Sequence, residues 1–212
     1  MLPSTVLQRN REKYLSHIKA ERDVVAALRR MLDAGPTPER RAYVLDSLDS
    51  KYDGAQSLAT QVLSVWGGRE SIDTLHQRLV ALLARTDAVS LRGVTIDALV
   101  RCVEAADTSW VLNMYFSRPT INSKHELLYL ARAVDPESAR TRLVAELRGS
   151  DPLNRHAAAK VIAVMPYADC RDLVGSLLDD SDDYNRQAAI LILNLLANGQ
   201  TDTPDSDGAA KR

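Results

Sequence analysis

The chain has little glycine (9) and little proline (8), and only 5% of its 212 residues are aromatic. The few glycines and prolines sit between apolar segments rich in alanine and leucine, which points to an all-α chain. Cysteine is scarcer still: Cys102 and Cys170 stand alone inside apolar helical patterns, so a disulfide framework is excluded and reduced core cysteines are expected. No apolar run approaches the roughly 18 residues that span a bilayer. The first residues, MLPSTVLQRNREKYL, lack the apolar block and small-residue cleavage site of a secretory signal. A cytoplasmic protein without membrane contact is the expectation.

Catalytic constellations are missing too. His17, His76, His125 and His156 have no second histidine or cysteine at metal-ligand spacing, and a lone helical histidine is ordinarily a surface residue. HExxH, CxxC, GxxxxGK[ST], GxGxxG and GxSxG do not occur, and HELL at 125–128 fails as a zinc motif because residue 129 is tyrosine. No catalytic residue, metal or cofactor is expected. Trp66 and Trp110 fall in apolar helical patterns and read as core.

What is present is charge and periodicity. Net charge is −1, but residues 1–41 carry +4 and residues 42–212 carry −5. Arginine outnumbers lysine 21 to 6, a bias associated with GC-rich, usually bacterial, genomes. In residues 5–33 a capping box of Thr5 and Gln8 precedes Leu7, Tyr14, Ile18, Val25, Leu28 and Leu32, the apolar stripe of one long helix that Gly35-Pro36 ends. Its flanks, REK, KAERD and RR, alternate in sign and suit a solvated face.

Short helices follow. Thr37-Pro38, Asp135-Pro136 and Asp151-Pro152 are cap-then-proline starts, Ser71 and Asp87 are further cap candidates, and Gly67-Gly68 is a stop. A shorter segment spans about 108–116, Pro119 breaks it, and Asn122 or Ser123 opens the next helix. The last pair covers roughly 168–178 and 183–197, with Asn198-Gly199 as its stop. TDTPDSDGAAKR, residues 201–212, has no large apolar residue and is expected to be a disordered tail. The domain reading is therefore an N-terminal helix at 1–36, a helical array at 37–198 and a tail at 199–212.

The array repeats. LVAELRGSDPLNRHAAAKVIAVM (143–165) aligns with LVGSLLDDSDDYNRQAAILILNLL (173–196): Asp151 falls on Asp182, Asn154-Arg155 on Asn185-Arg186 and Ala157-Ala158 on Ala188-Ala189, each 31 residues apart. Upstream, Arg92 lies 32 residues before Lys124, which lies 31 before Arg155. A helix pair recurring at that period is an α-solenoid unit. These residues resemble HEAT-like repeats, particularly the short bacterial type also found in phycobilin lyase subunits. The last two units carry the resemblance; LLARTDAVSLRGVTIDALV matches loosely, and 37–66 and 108–134 keep only the paired-helix rhythm. It implies about five antiparallel pairs behind a capping N-terminal helix, with the second helices lining a concave face. The family's turn aspartate falls on Asp180, but Gly149 and Thr86 replace it in the other units, so any Asp–Arg ladder is incomplete.

Function is then expected to be non-catalytic: an adaptor, scaffold or accessory module binding a protein in its groove. Arg92, Lys124, Arg155, Lys160 and Arg186 form the candidate contact stripe, which suits an acidic helix or tail. A second class is self-assembly, a homodimer through the N-terminal stripe. Some HEAT-like proteins excise alkylated bases from DNA, and Asp107 and Trp110 are conceivable in such roles, but a net acidic array does not neutralise phosphates and nucleic acid is not the expected partner. A bilin lyase or isomerase is implied by no active residue. The cluster DDSDD at 179–183 is no EF-hand, because the sixth and twelfth positions from Asp179 are Tyr184 and Ile190. Ser181 or Asp182 reads as a helix cap whose acidic neighbours complement the dipole.

Overall fold

In the computed structural model, residues 4–118, 121–165 and 169–198 are described. Among them the secondary structure is entirely helical, and no helix is long and apolar enough to cross a membrane. The expected tail, the break at Pro119 and the cap side chains of Thr5, Gln8, Asn122 and Ser123 lie outside what is described. The chain packs as two compact units that divide between Cys102 and Val103.

The first unit holds α1 (Ser4–Ala34), α2 (Pro38–Leu48), α3 (Asp53–Trp66), α4 (Gly68–Leu83) and α5 (Val89–Val100). α1 packs on α3 and α3 on α5, while α2 and α4 each lie against the helix that follows them. Leu28, Val44, Val62, Leu63, Leu75, Leu79 and Leu99 are wholly buried between these layers, each contributing about 1.5 to 3 kcal/mol. α1 and α3 approach closely at Gly54, where a β-carbon would meet the Glu21 Oε1 at 2.9 Å. Thr37 caps α2 as expected, accepting from the Arg40 N–H at 3.3 Å.

Two expected starts move. α4 begins at Gly68, because Gly67 and Gly68 take left-handed φ of 63° and 77° and turn the chain without a longer linker. Ser71 therefore lies inside the helix, buried, and its hydroxyl accepts from Arg41 at 3.2 Å. α5 begins at Val89, and the Asp87 carboxylate instead takes the Arg85 guanidinium at 3.2 and 3.1 Å.

The second unit holds α6 (Thr108–Phe116), α7 (Ile121–Ala133), α8 (Pro136–Leu147), α9 (Pro152–Val164), α10 (Cys170–Gly175) with a 3-10 turn at Ser176–Asp179, and α11 (Asp183–Ala197). Each odd-numbered helix here packs on the helix before it; α7, α9 and α11 adjoin in sequence, as do α6 and α8. Asp135, Asp151 and Asp182 cap α8, α9 and α11 through the N–H groups of Ser138, Leu153 and Asn185 at 2.8, 2.9 and 3.1 Å. Ala157, Ala158 and Ala159 are all fully buried, so α9 is enclosed around most of its circumference. Such a thin helix lets neighbours approach at the short end of helix-packing distances.

Composition misleads at three kinds of side chain. His156 is only 3% exposed, because the alanines beside it leave room for neighbouring helices to close over the ring. Cys102 and Cys170 form no disulfide, as expected, but they are half-buried near helix ends, outside the core. Trp66 and Trp110 are half-buried rather than core residues.

Candidate functional site

The basic residues at the starts of the second helices share one geometry. The Arg92 guanidinium donates to the Arg85 carbonyl at 2.7 Å. The Lys124 ammonium donates to the Phe116 carbonyl at 3.1 Å, Arg155 to the Gly149 and Ser150 carbonyls at 3.0 and 2.8 Å, and Arg186 to the Asp180 carbonyl at 2.6 Å. Arg40, in the first turn of α2, does the same to Ala34 and Gly35 at 2.8 and 3.1 Å. A helix leaves its last carbonyls without partners at the negative end of its dipole, and a cation entering the next helix reaches back to satisfy them. The recurring spacing thus marks a turn clamp.

Two of the five go further. Lys124 is 2% exposed; its ammonium also donates to Asn154 Oδ1 at 3.0 Å and lies 5.8 Å from the Phe116 ring centre. Burial pushes this lysine below its usual range, while Asp151 and Glu146 oppose the shift. Arg155 forms a two-pronged pair with Asp180, Nε to Oδ2 at 2.6 Å and Nη2 to Oδ1 at 2.8 Å, their side chains 12% and 6% exposed. That contact, foremost its hydrogen bonds, holds the Asp180 carboxyl below and Arg155 above their ordinary values. It ties α9 to the turn before α11. The Lys124–Asn154 bond joins α7 to α9. Lys160, half-exposed on α9, is the candidate least committed to the fold.

Several acidic side chains of the second unit are engaged as well. Three of the four aspartates of DDSDD divide the work: Asp180 holds Arg155, Asp182 caps α11, and Asp183 takes Arg186 at 2.9 Å and Gln187 at 2.8 Å. Asp107 is fully buried, accepting from the Trp110 indole at 2.7 Å and from the Glu104 N–H at 2.9 Å. The two residues conceivable in base excision therefore close a helix start. No group of three or more metal-ligating side chains gathers among the described residues.

Sequence reasoning missed an open feature on the first helices. Two grooves of about 510 and 440 Å³ lie between α2 and α4 and share Leu45. Ala42, Leu48, Ala81 and Leu82 line them with Leu45, while Arg41 and Glu70 stand at one end and Arg78 and Arg85 at the other. Arg78 bridges the helices, donating to the Leu48 carbonyl at 2.9 Å and to Gln56 at 2.7 Å, and burial lowers its pKa. The signal was the 30-residue spacing from Arg41 to Ser71 and from Leu48 to Arg78, repeat spacing on the first helices.

Comparison with family models yields no match, and no curated protein shows significant similarity to the chain.

Proposed function

We propose that the chain is a protein-interaction module without catalytic activity, each unit a run of HEAT-like helix pairs stacked as an α-solenoid. The observation that supports this reading is a set of side-chain ties between successive pairs that recur 29 to 34 residues apart on first and second helices alike. Examples are Arg41–Ser71, Ser64–Ala98, Arg142–Asn113 and Lys124–Asn154. A stack of that kind commits its polar side chains to its own turns and leaves elongated surfaces between helices for a partner. The acidic helix or tail expected as partner would meet Lys160 and the half-exposed Arg186 of the second unit, since Lys124 and Arg155 are committed inward.

A tagged pull-down of full-length protein with mass spectrometry tests this, repeated with Lys160→Glu and with Leu45→Glu. A partner on the second helices is lost with the first variant and kept with the second; the reverse result moves the contact to the α2–α4 groove. No partner distinguishing either variant from the parent defeats the module reading.

Self-association has one observation in its favour: on α1, Tyr14 and Leu15 are 64% and 53% exposed. Light scattering on the full chain and on a Tyr14→Glu, Leu15→Glu variant decides it, and a monomeric parent ends that reading.

A further inference from the structure

His156 lies on α9 where α11 packs, and neither ring nitrogen meets a hydrogen-bond partner among the described residues. Tyr184, in the first turn of α11, covers the imidazole with ring centres 4.5 Å apart and planes inclined at 32°. Tyr184 is itself 53% exposed, so this aromatic ring is the lid between the imidazole and water on that side. Asn185, the next residue, is fully buried, and its amide favours the charged form of Asp180. The charged groups acting on the ring are Lys160, one turn along α9, and Asp182, the cap of α11.

We propose that His156 is an acid-responsive latch, which holds α11 against α9 while neutral and releases α11 when it takes a proton. An imidazolium has two N–H groups to donate, and the closed site offers an acceptor to neither. Lys160 repels the new charge, and among the described residues Asp182 favours it. Opening α11 lets water reach both nitrogens, so the open form binds the proton more tightly and acid favours opening.

The sign and window follow from linkage. Burial, reinforced by Lys160 and opposed by Asp182, lowers the folded pKa of His156 from 6.5 to about 4. A group depressed in this way contributes its full stability above pH 6.5 and loses it as pH falls towards 4. The Arg155–Asp180 pair does not titrate in that window, because Asp180 is held below its ordinary value. From pH 7.5 to 4.5 the opening equilibrium of α11 should rise about 70-fold.

The test is amide hydrogen exchange on the full chain at pH 7.5 and 4.5, corrected for intrinsic rates, comparing α11 with α3. The latch predicts that α11 alone loses about 70-fold in protection, that His156→Leu abolishes this response, and that Lys160→Gln reduces it. Equal protection of α11 at both values overturns the proposal, as does an undiminished response in His156→Leu. If the leucine variant does not fold, Lys160→Gln decides: an unchanged response removes His156 as the titrating group. A direct NMR titration giving His156 an ordinary pKa near 6.5 in the folded chain also overturns it.

Discussion

The two units bury different kinds of polar group. In the first, the buried polar side chains are hydroxyls, most of them satisfied within their own helix: Ser47 on the Tyr43 carbonyl at 2.8 Å, Thr60 on Gln56 at 2.9 Å and Thr95 on Leu91 at 2.7 Å. In the second, Asp107, Lys124, His156 and Asn185 are buried, and the Arg155–Asp180 pair is nearly so. A hydroxyl bonded to its own helix asks nothing of its neighbours. A buried charge needs a partner on another element, and the loss of that partner leaves an uncompensated ion. The same helix-pair rhythm therefore carries a tolerant core in one unit and a coupled one in the other.

Each unit holds its own fluorescent reporter, Trp66 in the first and Trp110 in the second. Trp66→Phe and Trp110→Phe backgrounds thus let urea unfolding of each unit be followed separately. The largest contrast is expected from Asp180→Ala, which strands the Arg155 guanidinium and should cost about 3 kcal/mol in the second unit. Its counterpart in the first unit, Glu70→Ala, removes the partner of Arg41 at 3.3 Å, but Glu70 is 66% exposed and the cost should stay under about 1 kcal/mol. Equal losses would mean that the Arg155–Asp180 pair is as well solvated as a surface pair.

Lys124→Met comes next. It leaves the Phe116 carbonyl and Asn154 Oδ1 without their donor, and about 2 kcal/mol should be lost. Thr95→Val, at an equally buried position in α5, should cost less than about 1 kcal/mol, because it removes one bond within a single helix. A Lys124→Met protein as stable as its parent would show that burying the ammonium costs as much as its hydrogen bonds return.

That contrast marks what the sequence could show. The helix pairs, the caps Thr37, Asp135, Asp151 and Asp182, and the 31-residue step were legible, because caps and apolar spacing are local properties. The direction taken by Lys124, Arg155 and Arg186 was not. Their acceptors are backbone carbonyls, which no residue code displays, and a long cationic side chain at a helix start reads equally as a groove contact. His156 was misjudged for a related reason: its burial follows from the width of neighbouring alanines rather than from its own chemistry. The α2–α4 groove escaped because Ala42 and Leu45 fit a core stripe, and only packing leaves Ala42 exposed and Leu45 half-exposed.

The smallest expected effect separates capping from charge. Thr37 and Asp151 both precede a proline at the first turn and both accept a backbone N–H, so either alanine variant loses a cap worth about 1 kcal/mol. Asp151 has a second role, since its carboxylate also acts on Lys124 and on Arg155, favouring the charged form of each. Asp151→Asn keeps a side-chain oxygen for the Leu153 N–H while deleting the charge. If the second unit is electrostatically coupled through its caps, Asp151→Asn should still cost about 0.5 kcal/mol in the Trp110-monitored transition, and Thr37→Asn should cost almost nothing in the transition followed by Trp66. Equal, negligible losses at the two sites would confine the difference between the units to the buried groups and leave their helix starts equivalent.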